Sequence, residues 1–251
     1  MSDAVILVAA LAAGAINSIA GGGTLLSFPA LVWIGRPSIM ANATNAVALW
    51  PGSLAGMLGF RRELANVPRW LLWLTVPSLV GGIAGALLLL RTPEKLFDAI
   101  VPWLILSATL LLGAQELIAR RLRILAVSHE RPTTGRLLAF SFQLVVAVYG
   151  GYFGAGMGIL MLAALGLIGL TDLHQMNGLK NLLAICINGV AAVYFAISGA
   201  VLWRDALLMS VAAIAGGFLG ARVARRLGRR FVRAAVVTIG LVMTVVLFVK
   251  R

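Results

Sequence analysis

The chain repeats itself at a fixed offset of 135 residues, and each copy carries a glycine cluster deep in apolar sequence. Ala20-Gly21-Gly22-Gly23 falls on Ala155-Gly156-Met157-Gly158, Asn42 on Asn177, Phe60 on Phe195 and Arg69 on Arg204. Farther along, Gly81-Gly82 falls on Gly216-Gly217, Gly85-Ala86 on Gly220-Ala221 and Arg91 on Arg226, all without a gap. A chain duplicated in this way folds as two related halves. When both halves contain glycine-interrupted hydrophobic segments, the pattern points to a transporter fold with its substrate site where the repeats meet.

The halves belong in a bilayer. With 61% hydrophobic and 12% charged residues, the chain cannot clothe a water-soluble globule, where about 25% charge is usual. The runs Leu71–Leu90 and Leu96–Ala119 approach or exceed the ~20 residues that cross ~30 Å of hydrocarbon as a helix. Alternation of period two is absent from them, which argues for helices over a membrane barrel. Five helical segments are expected in each repeat: about 4–20, 24–34, 43–60, 70–90 and 95–119, then 137–154, 158–169, 177–198, 205–224 and 231–249. The second segment of each is short, reaching only about half the bilayer at ~1.5 Å per residue. Pro29 and the following Arg36-Pro37 argue against a longer helix there. The expected architecture is therefore an all-α polytopic membrane protein. Residues 1–119 form the first transmembrane repeat, 120–136 a basic linker and 137–251 the second repeat.

The net charge of +13 fits this reading. The arginines sit between spans, in clusters at Arg120, Arg121, Arg123, Arg131 and Arg136 and at Arg222, Arg225, Arg226, Arg229, Arg230 and Arg233. Nucleic acid as partner would want a folded polar domain beside the charge, and none is evident between these apolar runs. No basic run precedes the first apolar stretch, which reads as a mature helix rather than a cleaved signal. The single cysteine, Cys186, excludes an internal disulfide.

The same charges decide the topology. If the first two segments of each repeat form one crossing, the halves run parallel and Lys/Arg divide 11 against 9 between the two sides, with no bias. If the short segment turns the chain back, each repeat has an odd number of passes and the halves are inverted. One side then gathers 61–69, 120–136 and 222–233 for 14 Lys/Arg. The other holds Arg36, Arg91, Lys95, Arg204, Lys250 and Arg251 for 6, Lys180 being left out of both counts. Only the inverted arrangement obeys the positive-inside rule. The expectation is two inverted repeats, a cytoplasmic 120–136 linker and both termini outside.

Glycines in the middle of a helix cost about 1 kcal/mol each relative to alanine. Gly81, Gly82, Gly85 and their partners Gly216, Gly217, Gly220 read as close-packing positions. Gly21, Gly22 and Gly23, like Gly156 and Gly158, read instead as helix breaks that aim the N–H groups of the next helix into the interior, where they carry a partial positive charge. Polar residues collect beside them: Asn17, Ser18 and Thr24, then Asn42, Thr44 and Asn45, and in the second half Asn177, Lys180, Asn181 and Asn188. Asn42 and Asn177 stand at expected helix starts, where an ordinary N-cap and a ligand contact are both open. Lys180 has no acidic neighbour in sequence. A cation inside a span needs a cavity, an anion or a route to the headgroups, so substrate contact and snorkelling both remain open. Asp172 and His174 read as loop residues, Glu116 as an i,i+4 partner of Arg120, and Trp70, Trp73, Trp103 and Trp203 as interfacial aromatics. Protease, hydrolase, phosphate-loop and metal-ligand signatures are missing, so neither enzyme nor cofactor is expected.

These residues carry a resemblance. Ala13-Gly14-Ala15-Ile16-Asn17-Ser18-Ile19-Ala20-Gly21-Gly22-Gly23-Thr24-Leu25-Leu26-Ser27-Phe28-Pro29-Ala30-Leu31 and Ala41-Asn42-Ala43-Thr44-Asn45 resemble the signature of the TauE/SafE sulfite exporter family, also called the toluene sulfonate uptake permease family. Met176-Asn177-Gly178-Leu179-Lys180-Asn181 and Gly216-Gly217-Phe218-Leu219-Gly220-Ala221 extend it over essentially the whole chain. The resemblance implies a secondary transporter moving sulfite, sulfonates or related organic anions across the bacterial cytoplasmic membrane; a passive anion channel is the alternative. A homodimer is left open. Met157 and Ala164 depart from the first repeat's Gly22 and Pro29, so the second break is expected to be less sharp.

Overall fold

The computed structural model describes residues 2–19, 22–59, 67–126, 134–167, 170, 172–227 and 229–249, with the side chains at 2, 18–19, 53–59, 118–126, 134–136, 167, 173–174, 219–227 and 229–232 outside the description. Eleven helical elements are seen among these residues: α1 Ser2–Ile19, α2 Thr24–Trp33, α3 Ser38–Gly59, α4 Arg69–Leu72, α5 Thr75–Arg91, α6 Glu94–Ala126, α7 Thr134–Tyr152, α8 Met157–Leu167, α9 Leu173–Ile197, α10 Trp203–Leu227 and α11 Arg229–Val249. The single turn α4 leads straight into α5, and α6 continues past the expected end of its span into the basic linker. Among the described residues three helical stretches, Arg69–Arg91 (α4 with α5), Glu94–Leu117 in α6 and Gln175–Ile197 in α9, are long and apolar enough by themselves to cross a membrane.

The sequence offset reappears in the helix boundaries. α3 starts at Ser38 and α9 at Leu173, α6 at Glu94 and α11 at Arg229, each pair 135 residues apart. Local chemistry sets these starts. Pro37 and Pro93 lead α3 and α6, and their carbonyls accept from the amides of Ala41 (2.8 Å) and Phe97 (3.0 Å). Asp172 precedes α9, its Oδ1 accepting from the Gln175 amide at 3.4 Å. Both α3 and α9 begin four or five residues earlier than expected. Asn42 and Asn177 therefore lie inside their helices and cap neither.

The first helix of each half packs on the fourth segment of the other, α1 on α10 and α7 on α5. Small residues make the approach possible. A Cβ on Gly14 would overlap the Ala213 carbonyl and one on Gly216 the Leu11 carbonyl. In the matching pair, a Cβ on Gly85 would overlap the Val148 carbonyl and one on Gly151 the Gly82 carbonyl. Backbones in contact give dispersion over a long seam, which drives helix association where lipid is as apolar as leucine. The packing role expected of Gly81, Gly82, Gly85 and Gly216 is thus seen, and Gly14 and Gly151 share it. Gly217 meets nothing nearer than 3.9 Å, and Gly220 falls outside the described side chains.

α6 and α11, equivalent helices of the two halves, pair in opposite order. Trp103 packs edge-on against Phe248 with ring centroids 5.1 Å apart, Thr109 against Gly240, Gly113 against Val237, and Glu116 bonds Arg233 at 2.9 Å. Residues rising along α6 meet residues falling along α11, so the helices are antiparallel. The local partner expected for Glu116, Arg120, has its side chain outside the description. The ion pair to Arg233 arises because the antiparallel seam brings the start of α11 beside that carboxylate. α3 and α9 follow the same rule: Trp50 sits on Gly189, and Thr44 Oγ1 accepts from the amide of Leu202, just beyond the end of α9, at 3.0 Å.

One end of the bundle is tied by polar bonds. Arg36, between α2 and α3, donates to both carboxylate oxygens of Asp205 on α10, at 2.7 and 3.2 Å. Arg204 bonds Asp3 at 2.7 Å, and the Ile39 amide donates to Glu94 at 3.0 Å. The start of α1, the α2–α3 turn, the α5–α6 turn and the α9–α10 turn therefore share one face. Trp73, Trp103 and Trp203 are exposed, as an aromatic belt requires, whereas Trp70 on α4 is half-buried.

Candidate functional site

Each half breaks between its first and second helices, and each break is built around glycines with left-handed backbone. In the first, Gly22 has φ +99°, a conformation L side chains rarely adopt. Gly23 follows it in buried space, where a Cβ would overlap the Ala13 carbonyl and lie 2.9 Å from Cγ of Asn17. The Asn17 side chain folds back to accept the Gly23 amide at 2.7 Å. The Leu25 and Leu26 amides return to the Gly22 and Gly23 carbonyls at 3.0 Å, and Ser27 to Gly23 at 3.1 Å. Several first-turn donors that a bare glycine cluster would leave free are thus used inside the break. Thr24 opens α2 half-buried, and Gly21 lies outside the described residues.

The second break also turns on left-handed glycines, with Met157 standing where the first has Gly22. Gly154 has φ +80° and Gly156 φ +77°, so two glycines bend the chain and the middle position is free to carry a side chain. Met157 places its sulfur over Gly150, and the Tyr149 hydroxyl donates to the Ala155 carbonyl at 2.6 Å, fixing the turn. α8 starts two residues ahead of the position equivalent to Thr24.

Both breaks come to rest on one stretch of α6. A Cβ on Gly22 would lie 3.4 Å from Leu112, and one on Gly156 would lie 3.4 Å from Ala108, one turn away. Neither α6 residue carries a polar signal, so sequence reasoning had nothing by which to find them.

The polar candidates divide into two groups. Asn42 and Thr44 are buried and engaged: Asn42 Nδ2 donates to the Tyr152 carbonyl at the end of α7 (2.9 Å), and Thr44 holds Leu202. Asn45 is buried and accepts the Ser27 hydroxyl, which ties α3 to α2. Asn177, Lys180 and Asn181 are half-buried. Lys180 lays its stem on the first turn of α8, where a Cβ on Gly158 would lie 3.3 Å from its Cδ, and its ammonium donates to Asn177 Oδ1 at 3.2 Å. Positions 45 and 180, equivalent by the repeat, thus both abut the first turns of the short helices. One offers a neutral amide and the other a cation.

A second polar feature escaped the sequence. Arg36, Val201, Leu202, Trp203, Arg204 and Asp205 line a cavity of about 300 Å³ at the tied face. Its Arg36–Asp205 pair joins residues 169 positions apart, with Asp205 only 2% exposed.

The family model described as sulfite exporter TauE/SafE matches residues 6–247. A probable membrane transporter protein of Haemophilus influenzae is 29% identical over 246 residues, covering 96% of this chain and 92% of the relative. The probable membrane transporter protein ORF9 of a Sinorhizobium species is 31% identical, with 96% and 90% covered. The probable membrane transporter protein YfcA of Escherichia coli is 30% identical over 250 residues, with 96% and 87% covered.

Proposed function

The chain belongs to the sulfite exporter TauE/SafE family of membrane transporters, and we propose that it carries small anions, sulfite, sulfonates or related organic anions among them, across the membrane by alternating access. The observation that carries this reading is the meeting of the two glycine breaks on α6 with Lys180 laid against the second. Short-helix amino termini supply partial positive charge, and the lysine supplies one full charge and its own N–H donors. Charge-assisted bonds of this kind suit an anion with several oxygens.

Inverted halves are the second element of the proposal. The antiparallel pairing of the equivalent helices α6 and α11 supports inversion, as does the Arg36–Asp205 bond. Parallel halves would put Arg36 and Arg204 on opposite sides of the membrane, whereas the bond brings the segments that carry them together. With the positive-inside rule, inversion puts both termini outside and the 120–136 linker in the cytoplasm. Breaks related in this way approach one site from opposite sides, and rocking of one half against the other exposes that site alternately.

Reconstitution into liposomes tests the reading. Uptake of labelled sulfite or methanesulfonate should saturate with concentration. Lys180→Ala should abolish it while the protein still purifies as a folded monodisperse species. Undiminished uptake in that variant removes Lys180 from the site, and non-saturating flux at channel rates replaces the carrier with a pore.

A further inference from the structure

The polar side chains of α9 form a track. Lys180 and Asn181 lie three and four residues beyond Asn177, and Asn188 lies seven beyond Asn181, spacings that keep them on one side of a helix. All four are half-buried, and among the described residues the amides of Asn181 and Asn188 make no hydrogen bond. Partly open amides inside a span face water or a ligand, since lipid offers them nothing.

The track leads to a buried donor. Next to Asn188 is Gly189, and over it lies the indole of Trp50 from α3: a Cβ on Gly189 would sit 3.2 Å from Nε1. That nitrogen is buried and has no hydrogen-bond partner among the described residues. Asn188 Oδ1 in turn lies 3.9 Å from a Cβ position on Gly154, in the second break. Trp50, Asn188 and the glycine break are therefore neighbours. Trp50 has no counterpart in the other half, where the equivalent residue is the purely apolar Ile185.

A buried N–H without an acceptor carries its full desolvation penalty, and native proteins leave few such groups. The indole can only donate, so what completes it is an acceptor oxygen. We propose that the Trp50 N–H binds the transported anion, donating to one of its oxygens at the inner end of an amide track formed by Asn181 and Asn188. The inference rests on the anion-carrier reading and adds a neutral donor, supplied by the first half, to the charge supplied by Lys180. Gly189 is the residue that lets the indole lie against α9.

The test uses purified full-length protein and methanesulfonate, with binding read from the concentration dependence of thermal stabilisation. Trp50→Phe removes the donor and keeps an aromatic ring. Without ligand its melting temperature should equal or exceed that of the wild type, while apparent methanesulfonate affinity falls about tenfold. Gly189→Ala, which forces the indole outward while favouring the helix, should weaken binding several-fold and serves if Trp50→Phe does not fold. Wild-type affinity in these variants overturns the assignment of Trp50 and leaves the carrier reading standing. A wild-type protein that responds to neither methanesulfonate nor sulfite overturns both.

Discussion

Removing Arg36 should harm this protein far more than removing its partner. The guanidinium donates twice to Asp205, and the two ends of the pair are unequally buried, 34% exposed for the Arg36 side chain and 2% for Asp205. In Arg36→Ala the carboxylate stays buried with neither of these donors. Breaking a buried pair this way costs roughly 3–5 kcal/mol, and the exposure of the arginine end argues for about 3. At about 2–4 °C per kcal/mol for a chain of this size, the melting temperature should fall by about 6–12 °C. In Asp205→Ala the arginine can turn into the adjoining cavity and water, so the loss should be under half as large. The double alanine variant should lie close to Asp205→Ala, because the uncompensated charge is then gone. The assay is loss of the monodisperse peak on heating in detergent, followed for all three variants in parallel. If Arg36→Ala melts within about 2 °C of wild type, less than 1 kcal/mol on the same scale, or no lower than Asp205→Ala, the argument from unequal burial is wrong.

Other substitutions probe the seams against an open position. Gly85→Val, whose side chain would run into the α7 backbone at Val148, should cost about 1–3 kcal/mol or more, whereas Gly52→Ala, with open space around its Cβ, should raise the melting temperature slightly. Asn42→Ala leaves the Tyr152 carbonyl without its donor and should lower stability by about 1–3 kcal/mol in the same heating assay, an effect Asn42→Asp does not rescue because it has no amide to donate.

Much of this molecule could be read from its residues because bilayer helices advertise themselves. The long apolar runs located the helices, and the offset of 135 located the equivalent pairs. Helix starts were harder: Ser38 and Leu173 lie before the polar Asn42 and Asn177, and proline or Asx capping outweighed the later asparagines. Gly22 and Gly156 were legible as breaks, while Gly154 was not, because it falls outside the aligned cluster. The bonds of Arg36 to Asp205 and of Glu116 to Arg233 were hidden for a physical reason. Each joins elements distant in sequence and exists only once the halves have docked. Ala108 and Leu112, on which both breaks rest, are ordinary apolar residues with no pattern to mark them.

The central claim is that two inverted halves deliver their glycine breaks to one site. Sided labelling tests it most directly. In a Cys186→Ser background, single cysteines at Thr92 in the α5–α6 turn, at Ser198 in the α9–α10 turn and at Pro132 in the linker are treated with a membrane-impermeant maleimide on intact cells. Inverted halves predict that positions 92 and 198 label from outside and that 132 labels only after permeabilisation. Labelling of 92 and 198 from opposite sides would mean parallel halves, and would contradict the account.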